Sequence, residues 1–165
     1  MSRGFVKEDD LEHAGTDLPE RPISTHPNYV TPEGLKLLTC EASRLDKEHA
    51  ILIALKDDDV ARQKLAVVDR DLRYLSARLE QAILVDPASQ NKSTVLFGAT
   101  VKVEDEEGNT LQFHIVGEDE ADIAQQKVSY VSPIAKALIG QKVGDSVIWN
   151  RPAGVLQLEI IEINY

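Results

Sequence analysis

Leu35-Lys36-Leu37-Leu38-Thr39-Cys40-Glu41-Ala42-Ser43-Arg44-Leu45 sets apolar or small side chains at positions 35, 38, 42 and 45, and the rhythm continues through His49 to Leu52. Steps of 3, 4, 3, 4 and 3 residues belong to a helix that buries one narrow stripe against a second helix. That second helix is also legible. Leu65, Val68, Leu72, Leu75, Leu79 and Ala82 repeat the same steps. In an antiparallel pair, facing residues have position numbers with a constant sum. Leu35 with Ala82, Leu38 with Leu79, Ala42 with Leu75, Leu45 with Leu72, His49 with Val68 and Leu52 with Leu65 all give 117. The spacing predicts a two-helix hairpin that reverses near residue 58 or 59, with arms of about 25 residues, roughly 37 Å at 1.5 Å per residue.

The flanks fit this reading. Thr31-Pro32-Glu33-Gly34 supplies a capping hydroxyl and a proline suited to a first helical turn. Residues 1–30 lack either period and hold Gly4, Gly15, Pro19, Pro22 and Pro27, so they read as a flexible arm, disordered or laid along a surface, in which Asn28-Tyr29-Val30 is a short docking stretch. The hairpin is assigned to 31–86. Asp86-Pro87-Ala88-Ser89-Gln90-Asn91-Lys92-Ser93 breaks its period, and 87–94 reads as a linker.

Beyond the linker the period becomes that of strands. Val95–Glu104 and Thr110–Val116 flank the turn Glu106-Glu107-Gly108-Asn109; further strands are expected at Lys127–Val131, Ser146–Arg151 and Val155–Ile163. Ser132-Pro133 opens a short helix that Gly140 closes. The fold class is α+β: an antiparallel coiled-coil hairpin followed by an antiparallel β domain, 95–165, carrying one short helix.

Composition narrows the function. The 165 residues carry a net charge of −10, with 5 basic and 11 acidic side chains in 95–165. Phosphate neutralisation needs a concentrated basic surface, so sequence-specific DNA binding is not expected. Aromatics are 5% of the chain, too few for a base-stacking platform. Cys40 is the only cysteine, which excludes an intrachain disulfide and a cysteine-based metal site. With neither a span-length apolar run nor an apolar signal core, the expected setting is cytoplasmic, away from membranes.

Three blocks of the β domain carry a resemblance: Phe97-Gly98-Ala99-Thr100-Val101, Ile115-Val116-Gly117-Glu118-Asp119-Glu120-Ala121-Asp122, and Ser132-Pro133-Ile134-Ala135-Lys136-Ala137-Leu138-Ile139-Gly140. In this order they resemble the C-terminal domain of the Gre transcription elongation factors, which has an FKBP-like fold, and the preceding coiled coil is also a Gre feature. The resemblance covers roughly 31–165. It implies a bacterial protein with no enzymatic activity of its own, whose partner is RNA polymerase. The C-terminal domain would dock on the rim of the polymerase secondary channel, through Ser132, Pro133 and Ile134. The coiled coil would enter the channel, where it could also meet nascent RNA.

In the family, tip carboxylates help hold a catalytic Mg²⁺ jointly with the polymerase during cleavage of backtracked RNA. Mg²⁺ takes oxygen ligands and keeps several waters, so one or two carboxylates suffice. Here the family tip motif, Gly-Asp-Leu followed shortly by Glu-Asn-Ala-Glu-Tyr, has no counterpart, and the arms are shorter by about one heptad each, roughly 10 Å. Asp57, Asp58 and Asp59 occupy the equivalent end and are the candidate metal-related carboxylates. One aspartate is accounted for as a helix cap, whereas three together exceed that need.

The other polar features have plainer readings. His49 opposite Val68 is a tolerated seam position, and Glu118, Asp119, Glu120 and Asp122 form a solvated loop. Arg62, Lys64, Arg70, Arg73 and Arg78 are the charged faces of the coiled coil, which in a polymerase channel could face RNA. Two alternatives stand beside the leading one: a peptidyl-prolyl isomerase, as the FKBP-like fold allows, and a channel-blocking competitor that does not stimulate cleavage.

Overall fold

The computed structural model describes residues 18–55 and 57–165. The chain divides into two compact units, one formed by residues up to Pro27 with Leu37–Gln81, the other by Asn28–Lys36 with Ala82–Tyr165. Residues 1–17 of the expected arm lie outside the described residues.

The first unit holds most of helix α1 (Pro32–Ala54) and helix α2 (Asp59–Glu80), about 34 and 33 Å long at 1.5 Å per residue. They are joined through Leu55–Asp58, where Leu55 N–H bonds to the Leu52 carbonyl and Asp58 N–H to the Leu55 carbonyl. The reversal thus comes about two residues earlier than the spacing predicts. Leu38, Leu45 and Leu52 are buried on α1, and Ala61, Val68 and Leu75 on α2, in each case seven residues apart. Leu35, Ala42, His49, Leu65, Leu72 and Leu79 are half-buried between them, so both sets of seam positions face inward. His49 Nε2 lies 3.0 Å from Asp69 Oδ1, pairing with the neighbour of the expected Val68.

Arg78 departs from its expected place on a charged outer face. Three residues past Leu75 it falls on the inward stripe, and it is 1% exposed. Residues 18–27 carry no helix or strand and run along α2 through ion pairs described below.

In the second unit a five-stranded sheet has the order β5-β4-β3-β7-β6, built from β3 (Thr100–Asp105), β4 (Thr110–Val116), β5 (Lys127–Ser129), β6 (Ser146–Arg151) and β7 (Gly154–Asn164). The sheet is mixed. β5 runs parallel to β4, because the chain between them crosses back through a 3₁₀ turn at Ile123–Gln125 instead of a hairpin. Alternation explains the core: Val101, Val103, Leu158 and Ile160 are fully buried, and Ile134, Ala135 and Leu138 of helix α3 (Pro133–Leu138) close over them.

Val95–Ala99 is not strand. Val95 and Ala99 are buried, but Leu96–Gly98 turns, with Gly98 at φ +88°. The Tyr165 hydroxyl fixes this segment, accepting from Leu96 N–H at 2.8 Å and donating to the Thr94 carbonyl at 2.5 Å.

The hairpin assignment through residue 86 runs past the helix. α2 ends at Glu80, and Ala82–Leu84 form strand β2, paired in parallel with β1 (Asn28–Val30). Apolar Ala82 continued the helical count, yet its backbone hydrogen bonds go to a strand. Tyr29 of β1 packs its ring against Phe97 and Tyr130, at centroid distances of 5.8 and 5.3 Å. Among the described residues, no helix is long and apolar enough to cross a membrane.

Candidate functional site

The three tip aspartates are brought to one turn, and all are exposed. Their carboxylates have different work. Asp58 caps α2, its Oδ1 accepting from Val60 N–H at 2.8 Å. Asp59, in the first turn, pairs with Arg62. Asp57 lies in the turn itself. Among the described residues no group of three or more His, Cys, Asp or Glu side chains is arranged to hold a metal ion. Around the turn the surface is apolar, with Ile51 63%, Leu55 54% and Val60 56% exposed.

In the β domain, Ser132 caps α3, its Oγ accepting from Ala135 N–H at 3.3 Å, and Pro133 takes the first helical position with its ring exposed. Ile134 is only 4% exposed and belongs to the core. Its side chain seats the helix and also lines the cleft that Pro133 borders. The exposed Pro133 edge borders an open cleft of about 780 Å³ whose walls include Phe113, Ile123, Val128, Trp149 and Pro152. Phe113 and Trp149 meet edge to face at 5.5 Å, and the Arg151 guanidinium lies 5.4 Å from the Trp149 ring centre. Ile123, 91% exposed, stands at the margin. Exposed apolar surface inside a concave wall is a signature of partner binding.

Comparison with characterised proteins gives the family. Residues 90–165 match the family described as transcription elongation factor, GreA/GreB, C-term. Transcription elongation factor GreB of Neisseria meningitidis serogroup B is 35% identical over 153 residues, covering 84% of this chain and 94% of that protein. The chain belongs to the GreA/GreB family of transcription elongation factors.

Other Gre factors align comparably. GreA of Thermodesulfovibrio yellowstonii is 36% identical over 151 residues, covering 82% of this chain and 96% of that protein. Among solved structures, GreA factor homolog 1 of Thermus thermophilus aligns at 25% identity over 85% of this chain and 100% of that one, with a TM-score of 0.41. The isomerase alternative finds no support in these relationships.

One polar cluster of this Gre factor escaped the sequence reading. Glu120 is 6% exposed and not part of a solvated loop. It accepts from the Thr31 hydroxyl at 2.5 Å, and its other oxygen lies 3.5 Å from Lys127 Nζ. Thr31 Oγ1 in turn accepts from Gly34 N–H at 3.0 Å, so the cap that opens α1 is itself held by a buried carboxylate. A β-carbon at Gly34 would come within 2.6 Å of Glu120 Oε1, so a side chain there would have to displace this carboxylate. The signal was present only as one of four acidic residues within Glu118-Asp119-Glu120-Ala121-Asp122. Sequence gives no means of telling which of four carboxylates turns inward.

Proposed function

We propose that this protein regulates elongation by binding RNA polymerase at the secondary channel, with the helical hairpin occupying the channel and the β domain docked on its rim. The observation that carries this is the extent of the similarity to named elongation factors. It spans 84% of the chain, more than the β domain alone supplies, so hairpin and domain are related to them together. Docking uses the apolar cleft beside Pro133, where Trp149 and Ile123 offer surface that a partner buries.

The tip acts through charge. With Asp58 capping its helix and Asp59 paired to Arg62, the turn carries a negative patch but no preformed ligand set, so the protein occupies the channel and competes for it without driving RNA cleavage. The test is transcript cleavage in a stalled, backtracked elongation complex, with and without this protein. Expected are binding to core polymerase, loss of stimulation by a cleavage-competent factor added together with it, and no acceleration of its own. Acceleration would overturn the competitor reading, and failure to bind core polymerase would overturn the whole proposal. Pro133→Ala, which leaves the Ser132 cap in place, should weaken polymerase binding while the domain stays folded. Unchanged affinity would remove that edge from the docking surface.

A further inference from the structure

Residues 18–27 contain no helix, strand or buried apolar anchor, yet they follow α2 through contacts that include two ion pairs and a cation–ring contact. Glu20 takes the Arg73 guanidinium in a fork, with Nε at 3.0 Å from Oε2 and Nη2 at 2.6 Å from Oε1. Arg21 Nη1 lies 3.4 Å from Asp71 Oδ1, an oxygen that also accepts from Arg70 Nε at 3.2 Å. The Arg21 guanidinium carbon stands 3.8 Å from the centre of the Tyr74 ring, within the range of a cation–π contact. Pro19 and Pro22 bracket the charged pair and restrict the backbone on either side of it.

We infer that residues 18–27 form a salt-labile latch, an intramolecular cover in which Glu20 and Arg21 engage Arg73, Asp71 and Tyr74 and mask that face of α2. The chemistry fits a reversible device better than a structural one. Arg73 and Glu20 are more than half exposed, so nothing shields their attraction from mobile ions. Exposed ion pairs are weak and screened by salt, so the part of the strap's hold that Glu20 and Arg21 supply is strongest in dilute salt and falls as salt rises. The Arg73 partner also holds the Glu20 carboxyl below the usual carboxylate range, as a formed pair requires. With the latch closed, Arg73 is neutralised and Tyr74 is covered; any acidic partner of this face must displace Glu20. The sequence reading of the arm as laid along a surface and of Arg73 as a solvated face thus meet in one contact.

The test uses the full chain, isotopically labelled, with heteronuclear NOE values read at the amides of Glu20, Arg21, Ile23 and Ser24, and α2 amides as the internal standard. In dilute buffer these four should be nearly as rigid as α2. At about 1 M NaCl, where the Debye length is about 3 Å, they should become mobile while α2 does not change. Glu20→Arg should open the latch in dilute buffer, and Arg73→Glu should do the same. The double exchange, Glu20→Arg with Arg73→Glu, should close it again. Salt-independent rigidity, no effect of either single reversal, or failure of the exchange to restore rigidity would each overturn the latch. None of these outcomes depends on polymerase binding.

Discussion

His114 on β4 is the residue whose surroundings make the clearest demand on solution conditions. It is half-buried, and burial is the main reason its pKa is held below the ordinary 6.5. Glu120 pulls the other way, Lys127 adds to the depression, and a hydrogen bond to the Gly98 backbone favours the charged ring. As pH falls through about 6.5 the unfolded chain therefore takes up this proton before the folded one does. Stability attributable to His114 is intact above that value and declines as pH drops toward the lowered folded pKa. Urea midpoints at pH 7.5 and 5.5 should fall further for the parent than for His114→Gln, and equal falls would show that the ring does not titrate this way. Its neighbour Glu120 allows a second expectation. Glu120→Ala strands the Thr31 hydroxyl and removes the carboxylate facing Lys127, a loss of about 1–3 kcal/mol when a buried partner goes unsatisfied. The same melts should read it, and a change within a few tenths of a kcal/mol would mean that water replaces the carboxylate.

At the scale of elements, the hairpin rests on a stripe that alternates between full and partial burial. Leu45 is 4% exposed, whereas Leu72, its expected partner, is half-buried. Leu45→Ala should then cost about 2–5 kcal/mol and Leu72→Ala distinctly less, by thermal or urea unfolding. Equal costs would mean that the two seam positions are equivalent, against the burial. The stripe was legible because helical periodicity is a local property, repeated over some twenty residues in each arm. The same holds for the strands from Thr100 onward and for the Ser132 cap. What escaped was non-local. Ala82–Leu84 continue an apolar count and become strand only because Asn28–Val30 lies alongside, a pairing across more than fifty residues that no spacing encodes. Glu120 turned inward for the same reason, its partner Thr31 being 89 positions away. At the candidate sites, the sequence reading put the three aspartates at one reversal and Ser132–Pro133 at a helix start, as the structure has them. Ile134, however, proved to be core, and the Phe113–Trp149 wall required the sheet to curl before the two rings could meet.

For the whole molecule, the deciding question is what the tip would do in the polymerase channel that we propose the hairpin enters. On the sequence reading that each arm is one heptad shorter than the Gre pattern, the turn ends roughly 10 Å short of a longer Gre hairpin. A carboxylate side chain spans only a fraction of that distance, which argues against direct ligation of the polymerase metal. Charge still acts at this range: two unit charges 10 Å apart in a medium of effective dielectric 20 interact by about 1.7 kcal/mol. Three aspartates could therefore bias the position of a cation or of an RNA 3′ end without touching either. Replacing Asp57, Asp58 and Asp59 together by Asn tests this with little collateral change. Asn caps a helix about as well as Asp, so the Asp58 contact to Val60 N–H should survive, and the pair that Asp59 makes with Arg62 is exposed and weak. The triple variant should bind core polymerase with unchanged affinity, because the docking surface we propose lies in the β domain, but should alter transcription less than the parent does. If parent and variant alter transcription equally, the tip has no electrostatic part. If instead the parent accelerates cleavage in a backtracked complex and the variant does not, the carboxylates reach the metal after all, and the distance argument fails because the hairpin inserts deeper than its length implies.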